Sequence, residues 1–344
     1  MMKGKKKTYA QVAFLLALIV GTVLIVKQQR DMPYQKDEGF IFGTVYHVTY
    51  QYDKDLNNEI IAELNKVDGE FSMFNKQSTV TAFNNGKKVE ASDMFMNVLT
   101  LSQDVSKDTY GAFDITVAPL VNAWGFGFKH QKMPDQQQVD SLKKLVGMQN
   151  INVEKLNGKT YLSKKLKNMM LDFSAVAKGF GSDAVATVMR RHDIKNYMVE
   201  IGGEVVTSGL SEKRLPWKIG VTQPTDDSLN TNQQLQTVLN ITDKAMATSG
   251  NYRNFYYKNG KKYAHEIDPK SGRPVQHSLL SSTVLANRCA EADAYATAFM
   301  VLGVEKSEAV LKKHPELMAY FIYVGKDGKN KVWYSPALQK KIEK

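Results

Sequence analysis

The chain holds one cysteine, Cys289, in 344 residues. An intrachain disulfide is therefore impossible, and the lone thiol in NRCAEADA reads as a small buried residue. It does not report the compartment, because a disulfide-free protein can work in a periplasm as well as in a cytosol. There is no internal repeat and no low-complexity tract. A formal charge of +11 points first to nucleic acid. Six of those charges, however, belong to Lys3, Lys5, Lys6, Lys7, Lys27 and Arg30, in a first 30 residues without an acid, and the remainder carries +5. That remainder has no basic stripe interleaved with aromatics, so no nucleic-acid partner is expected.

The N-terminus also lacks two features. After KGKKK, the run Ala10–Val26 is 17 residues long and broken only by Gln11, Gly21 and Thr22. It is short for a membrane span and long for a signal-peptide core. No Ala-x-Ala site follows it, and no cysteine lies near enough for a lipoprotein anchor. Residues 1–30 read as an uncleaved signal anchor, a membrane helix with its lysines in the cytoplasm and the body outside. A cleaved signal peptide is the alternative.

With 43% hydrophobic residues the chain can bury one large core or two smaller ones. Residues 31–40 read as a polar linker and 41–344 as the body. FGTVYHVTYQY alternates like a strand. LNNEIIAELNKVDGEFSMF has helical spacing, with Ile60, Ile61, Leu64 and Val67 on one face. A second helix ends near Gly111. GAFDITVAPLVNAWGFG resists assignment, and NGKTYLSKKLKNMMLDFS reads as two strands. AVAKGFGSDAVATVMRRH is a helix, NYMVEIGGEVVTSG a strand pair broken at Gly202-Gly203, and TDDSLNTNQQ a loop. NFYYKNGKKYAHEIDP is a hairpin turning at Asn259-Gly260. SSTVLANRC is a strand feeding a helix stopped at Gly303. Interspersed helices and frequent hairpins predict an α+β fold with mixed or antiparallel sheets.

Five segments carry possible chemistry. In AEADAYATA, Asp293 and Thr297 lie one helical turn apart on one face and could offer two oxygens to a hard cation such as Mg²⁺. On spacing alone, an ordinary helix with a first-turn aspartate is the commoner reading. In LDFSAVAKGFGSDAVA a strand ends at Asp172 and a helix follows, with Lys178 in its first turns beside a potential phosphate site. The spacing is not that of a Walker A loop. VEIGGEVVTSG has paired glycines that indicate a bulge or a ligand against the backbone. In ATSGNYR, Thr248, Ser249 and the Gly250 amide could line an anion or flavin edge. In HEIDPKSGRPV, His265 is a candidate general base, and Asp268 reads as the start of the Pro269–Gly272 turn.

Taken in order, FSMFNKQSTVTAFN, GAFDITVAPLVNAWGFG, LDFSAVAKGFGSDA, VEIGGE, ATSGNYR, HEIDPKSGRPV and TVLANRCAEADAYATA resemble the ApbE family, the FAD:protein FMN transferases. The resemblance runs from about FGTVYHVTY to AFMVLG. It implies an ApbE-like (T-fold-like) α+β architecture and an enzyme on the periplasmic face of a bacterial inner membrane. Such an enzyme splits FAD, transfers FMN through a phosphoester to a threonine of an acceptor protein and releases AMP, with Mg²⁺ near the pyrophosphate. By motif matching, Asp293, Thr297 and the Ala175 carbonyl would be metal ligands. Lys178 and Asp172 would sit at the flavin nucleotide, flanked by Glu204, Ser249 and Arg253. His265 matches the histidine that assists deprotonation of the acceptor hydroxyl. Phe74 stands where many members carry a tyrosine near the adenine; it keeps a stacking surface and loses a hydroxyl. The family's usual acceptors are flavin-carrying subunits of membrane redox pumps of the sodium-translocating NADH:quinone reductase or RNF type. Two alternatives stay open. One is an FAD pyrophosphatase. The other is a non-enzymatic FAD-binding protein, against which the Asp293–Thr297 pair argues, since storage needs no metal.

Overall fold

The structure, a computed structural model, describes residues 2–127, 133–225, 234–252 and 254–343. Its frame is an eight-stranded sheet: β1 (Tyr34–Ile41), β2 (Thr44–Gln51), β3 (Tyr197–Ile201), β4 (Glu204–Ser208), β5 (Lys244–Gly250), β6 (Leu279–Ala286), β7 (Met318–Val324) and β8 (Asn330–Tyr334). These strands pair side by side in chain order. Every neighbouring pair is antiparallel. Antiparallel neighbours need only a tight turn between them. The β3–β4 turn takes one at Gly202-Gly203, both with positive φ, a conformation glycine adopts at little cost.

The helices lie outside or between these strands: α1 (Met2–Asp31) before β1, α2 (Asn57–Phe71), α3 (Asp93–Asp108) and α4 (Ala177–Arg191) between β2 and β3, and α5 (Cys289–Leu302) between β6 and β7. Alternation along the strands divides the core in two. Ala247, Val284 and Ala286 pack with α5 and the residues around α2 and α3. Met246, Leu285, Tyr320 and Ile322 face the other way, against a hairpin of Trp217–Thr222 with Leu235–Ile241 and against Leu338. In α5 the alanines 290, 292, 294, 296 and 298 are all buried. A helix apolar on every side belongs in the interior, and its small side chains let α4 approach closely.

The antiparallel α+β expectation holds. Several local ones change. Residues 34–41 are not linker but the edge strand β1, whose charged YQKDEGFI suits an exposed edge. On α2 the buried stripe is Ile60, Leu64, Val67 and Phe71, while Ile61 turns to solvent. NGKTYLSKKLKNMMLDFS supplies one strand, Lys159–Lys164, which pairs with Ile151–Leu156 and Val89–Ala91 in a separate small sheet. The loop reading of TDDSLNTNQQ falls mostly on residues 226–233, outside the described residues. The basic and apolar N-terminus does form a helix, α1. However, no helix among the described residues is long and apolar enough to cross a membrane. The membrane helix expected over residues 1–30 is thus unsupported. Its 17-residue apolar run, at 1.5 Å per residue, covers only ~25 Å of a ~30 Å hydrocarbon core.

Candidate functional site

A cleft of about 370 Å³ opens where the end of β5, the start of β4, the first turns of α4, the middle of α5 and the segments around 112–127 and 254–269 converge. Helical periodicity puts Asp293 and Thr297 into it from α5, and strand alternation puts Ser249 into it from β5. The Ser249 and Thr297 hydroxyls share a hydrogen bond of 3.0 Å. Asp293 is 3% exposed, and its Oδ2 accepts the Gly179 N–H of α4 at 3.1 Å. Glu204, first residue of β4 after the glycine turn, pairs through Oε1 with Lys178 Nζ at 2.5 Å. Its Oε2 is buried without a hydrogen-bond partner.

Burial sets the electrostatics here. It raises the Asp293 carboxyl above the ordinary range; the Lys178 ammonium opposes the shift and the Glu204 carboxylate adds to it. Asp172 is raised by burial too, against an N–H donated by Ser174 at 2.8 Å. The carboxylates and hydroxyls facing this cleft are hard oxygen donors, of the kind that suits Mg²⁺. No cluster of three or more His, Cys, Asp or Glu forms a metal cage among the described residues.

Two features fix α5 against α4. Asp183 accepts the Cys289 and Ala290 N–H groups at 2.8 and 3.0 Å, capping the start of α5 from the neighbouring helix. Gly179 has no room for a side chain: a Cβ there would stand 2.5 Å from the Cys289 carbonyl oxygen and 2.8 Å from Asp293 Cβ. Cys289 itself is buried, as its lone position predicts.

The opposite wall is built differently. Asn254 and His265 bracket a hairpin of Phe255–Lys258 with Lys261–Ala264, and the His265 N–H donates to the Asn254 carbonyl at 3.1 Å. His265 Nδ1 lies 3.2 Å from the same oxygen. A run of rings leads to this imidazole: Trp124 on Tyr263, Tyr263 on Tyr256, Tyr256 on Phe126, and Phe126 edge-on to His265 at 6.5 Å between centroids. Tyr256 Oη donates to the Trp124 carbonyl at 3.0 Å, and Trp124 Nε1 to the Gly272 carbonyl at 2.8 Å. Asp268 accepts the Lys270 and Ser271 N–H groups and so holds the Pro269–Gly272 turn.

Of the residues singled out from the sequence, Phe74, Asp172, Ala175, Lys178, Glu204, Ser249, His265, Asp293 and Thr297 all line this one cleft. Arg253 lies outside the described residues. A second lobe of about 480 Å³ shares Met73, Phe74, Asp172, Ser174 and Lys178 with the first. Sequence reasoning missed Asp114, Asn122, Phe126, Asn254 and Glu266, which line the first lobe as well. Glu266 stood in plain view beside His265. Asp114, Phe126 and Asn254 sit in irregular backbone and Asn122 in a helix of six residues, too short for periodicity to give a signal.

The ApbE family model matches residues 42–321. A Haemophilus influenzae protein described as an FAD:protein FMN transferase is 38% identical over 297 residues, which span 83% of this chain and 85% of the relative. An Escherichia coli (strain K12) protein of the same description is 34% identical over 309 residues, 87% of this chain and 86% of the relative. Among solved structures, the flavin transferase ApbE from Vibrio cholerae superposes with a TM-score of 0.79 at 32% identity, covering 90% of this chain and 100% of that one.

Proposed function

The chain belongs to the ApbE family, and from that premise we propose how its cleft works. It is an FAD:protein FMN transferase: FAD is the substrate, and the FMN moiety passes to an acceptor protein. The observation that carries the mechanistic reading is the convergence on one cleft of Asp293, Thr297, Ser249, Lys178 and Glu204 with His265 across from them. Two contiguous lobes of about 370 and 480 Å³ suit a ligand of two linked parts such as a dinucleotide. Phe74, at their junction and 82% exposed, offers a face for the adenine to stack on.

The acceptor group is a threonine hydroxyl and the product a phosphoester. The hydroxyl oxygen bonds to the flavin-side phosphorus, the bridging pyrophosphate bond breaks, and AMP leaves with that electron pair. His265 takes the hydroxyl proton. The pyrophosphate is anionic, so approach of the hydroxyl needs charge neutralised. Asp293, Thr297 and the Ala175 carbonyl would hold Mg²⁺, with Ser249 supporting Thr297. Bound Mg²⁺ would polarise phosphoryl oxygens and stabilise the departing phosphate. Lys178, set by Glu204, adds a fixed positive charge at the start of α4.

We further propose that the acceptors are flavin-carrying subunits of membrane redox complexes of the RNF or sodium-translocating NADH:quinone reductase type. The basic and then apolar N-terminus supports work on the periplasmic face of a bacterial inner membrane; intact mass of the exported protein separates a retained helix from a cleaved leader. The test of the reaction combines the full chain with FAD, Mg²⁺ and a soluble acceptor domain bearing a flavinylation threonine. A covalent FMN mass increase together with free AMP is the expected result. AMP and free FMN without adduct would make it a pyrophosphatase instead, and bound FAD without turnover a carrier.

A further inference from the structure

Glu266 is the least explained polar side chain in the cleft. Its side chain is 2% exposed, and neither carboxylate oxygen has a hydrogen-bond partner among the described residues. A buried carboxylate without a counterpart is costly. His265 Nδ1 stands 3.4 Å from Glu266 Oε2. That is ion-pair range but longer than a good hydrogen bond. On its other side the same Nδ1 faces the Asn254 carbonyl at 3.2 Å.

Both atoms facing Nδ1 are oxygens that can only accept. A neutral imidazole carries one N–H, and two acceptors at one nitrogen place it there. Nε2 is then the nitrogen with a lone pair to offer.

We infer that Glu266 is a positioning residue for the transfer reaction: with the Asn254 carbonyl it holds His265 in the Nδ1–H tautomer, leaving Nε2 to take the acceptor's proton. This rests on the reading of His265 as the base. The step balances simply. The proton leaves the hydroxyl as its oxygen bonds to phosphorus, and Nε2 receives it. The ring is then a cation whose charge Glu266 balances from a site shielded from water, where such an interaction is stronger than in solvent. Asp172 feels the His265 charge and His277 the Glu266 charge.

The test uses the full chain with FAD, Mg²⁺ and a soluble acceptor domain. Glu266→Gln keeps the shape and removes the charge. It should lower kcat for adduct formation about 10-fold and leave the KM for FAD unchanged, with Glu266→Asp recovering part of the loss. Ring ¹⁵N shifts of His265 in the unmodified protein should show a protonated Nδ1 and a bare Nε2, a readout independent of how any variant folds. A protonated Nε2 with bare Nδ1 would overturn the inference, as would wild-type turnover by Glu266→Gln. His265→Ala separates the two levels. If it transfers FMN normally, the base assignment and the role of Glu266 fail together. If it is slow while Glu266→Gln is not, only the role of Glu266 fails.

Discussion

Asp293 is 3% exposed on a helix buried on all sides; across the cleft, the His265 side chain is 39% exposed on a segment with no regular structure. The first wall is drawn from the core of the fold: a central strand, two tightly apposed helices and a capping aspartate between them. Its groups are fixed by packing that the whole molecule depends on. The second wall hangs on a hairpin and a run of aromatic rings, and it reaches solvent. The difference matches the two substrates. A pyrophosphate needs prearranged charge in a dry place. A protein acceptor needs a base it can reach from outside. Removing a charge from the first wall should therefore cost transfer most, whereas loosening either wall should slow it by degrees.

The largest expected effect is at Asp293. Asp293→Asn keeps the shape and removes the charge, so FMN adduct formation in Mg²⁺ should fall about 10³-fold or more. The same variant carries no buried charge, so without metal it should melt no lower than the wild type. A near-normal transfer rate would remove Asp293 from the metal site, and a collapsed Tm would make its role structural. His265→Ala comes next, with transfer slowed about 10²-fold and FAD still bound. Fluorescence titration of flavin checks the second half; loss of FAD binding would turn His265 from a base into a ligand contact.

The contrast between the walls also governs what could be read from the sequence. The core side was legible because it uses regular elements. The 3.6-residue period brings Asp293 and Thr297 to one face, and the start of α4 beside Lys178 marks itself, although the residues leading to Asp172 form no strand, against expectation. The sheet was legible as antiparallel from its hairpins, though not its strand order, since pairing across insertions as long as that between β2 and β3 leaves no local trace. The rim was legible at its hairpin, at the Asp268 turn and at His265, but not in its rings. Phe126 and Trp124 lie in GAFDITVAPLVNAWGFG, a stretch that turns, forms six helical residues and turns again, so no periodicity flags it. β1 was missed because a charged edge strand has the composition of a linker. Ile61 was misplaced because the stripe on α2 continues to Phe71, which a window centred on Ile60 and Ile61 underweights.

Gly179→Ala probes how closely the first wall is packed. The added Cβ meets a backbone carbonyl at 2.5 Å, and neither helix can yield without repacking. The fold should lose roughly 1–3 kcal/mol, read as a lower Tm. Transfer should fall about 10-fold, because the displaced neighbour is Asp293 itself, the residue proposed to hold the metal. A variant with unchanged Tm and rate would show that α4 and α5 are not in such close contact.

Tyr256→Phe makes the matching cut in the second wall. It deletes only the Tyr256 hydroxyl, whose bond to the Trp124 carbonyl is 3.0 Å long, and leaves the stack with Phe126 and Tyr263 in place. One hydrogen bond of this kind contributes about 1 kcal/mol, so the rim should loosen rather than fall apart. Transfer should slow a few-fold at most, with KM for the acceptor rising while FAD affinity stays constant, since the hydroxyl bonds within the rim itself. If FAD affinity falls instead, the two walls are mechanically coupled, and the contrast drawn between a rigid core side and an independent rim does not hold.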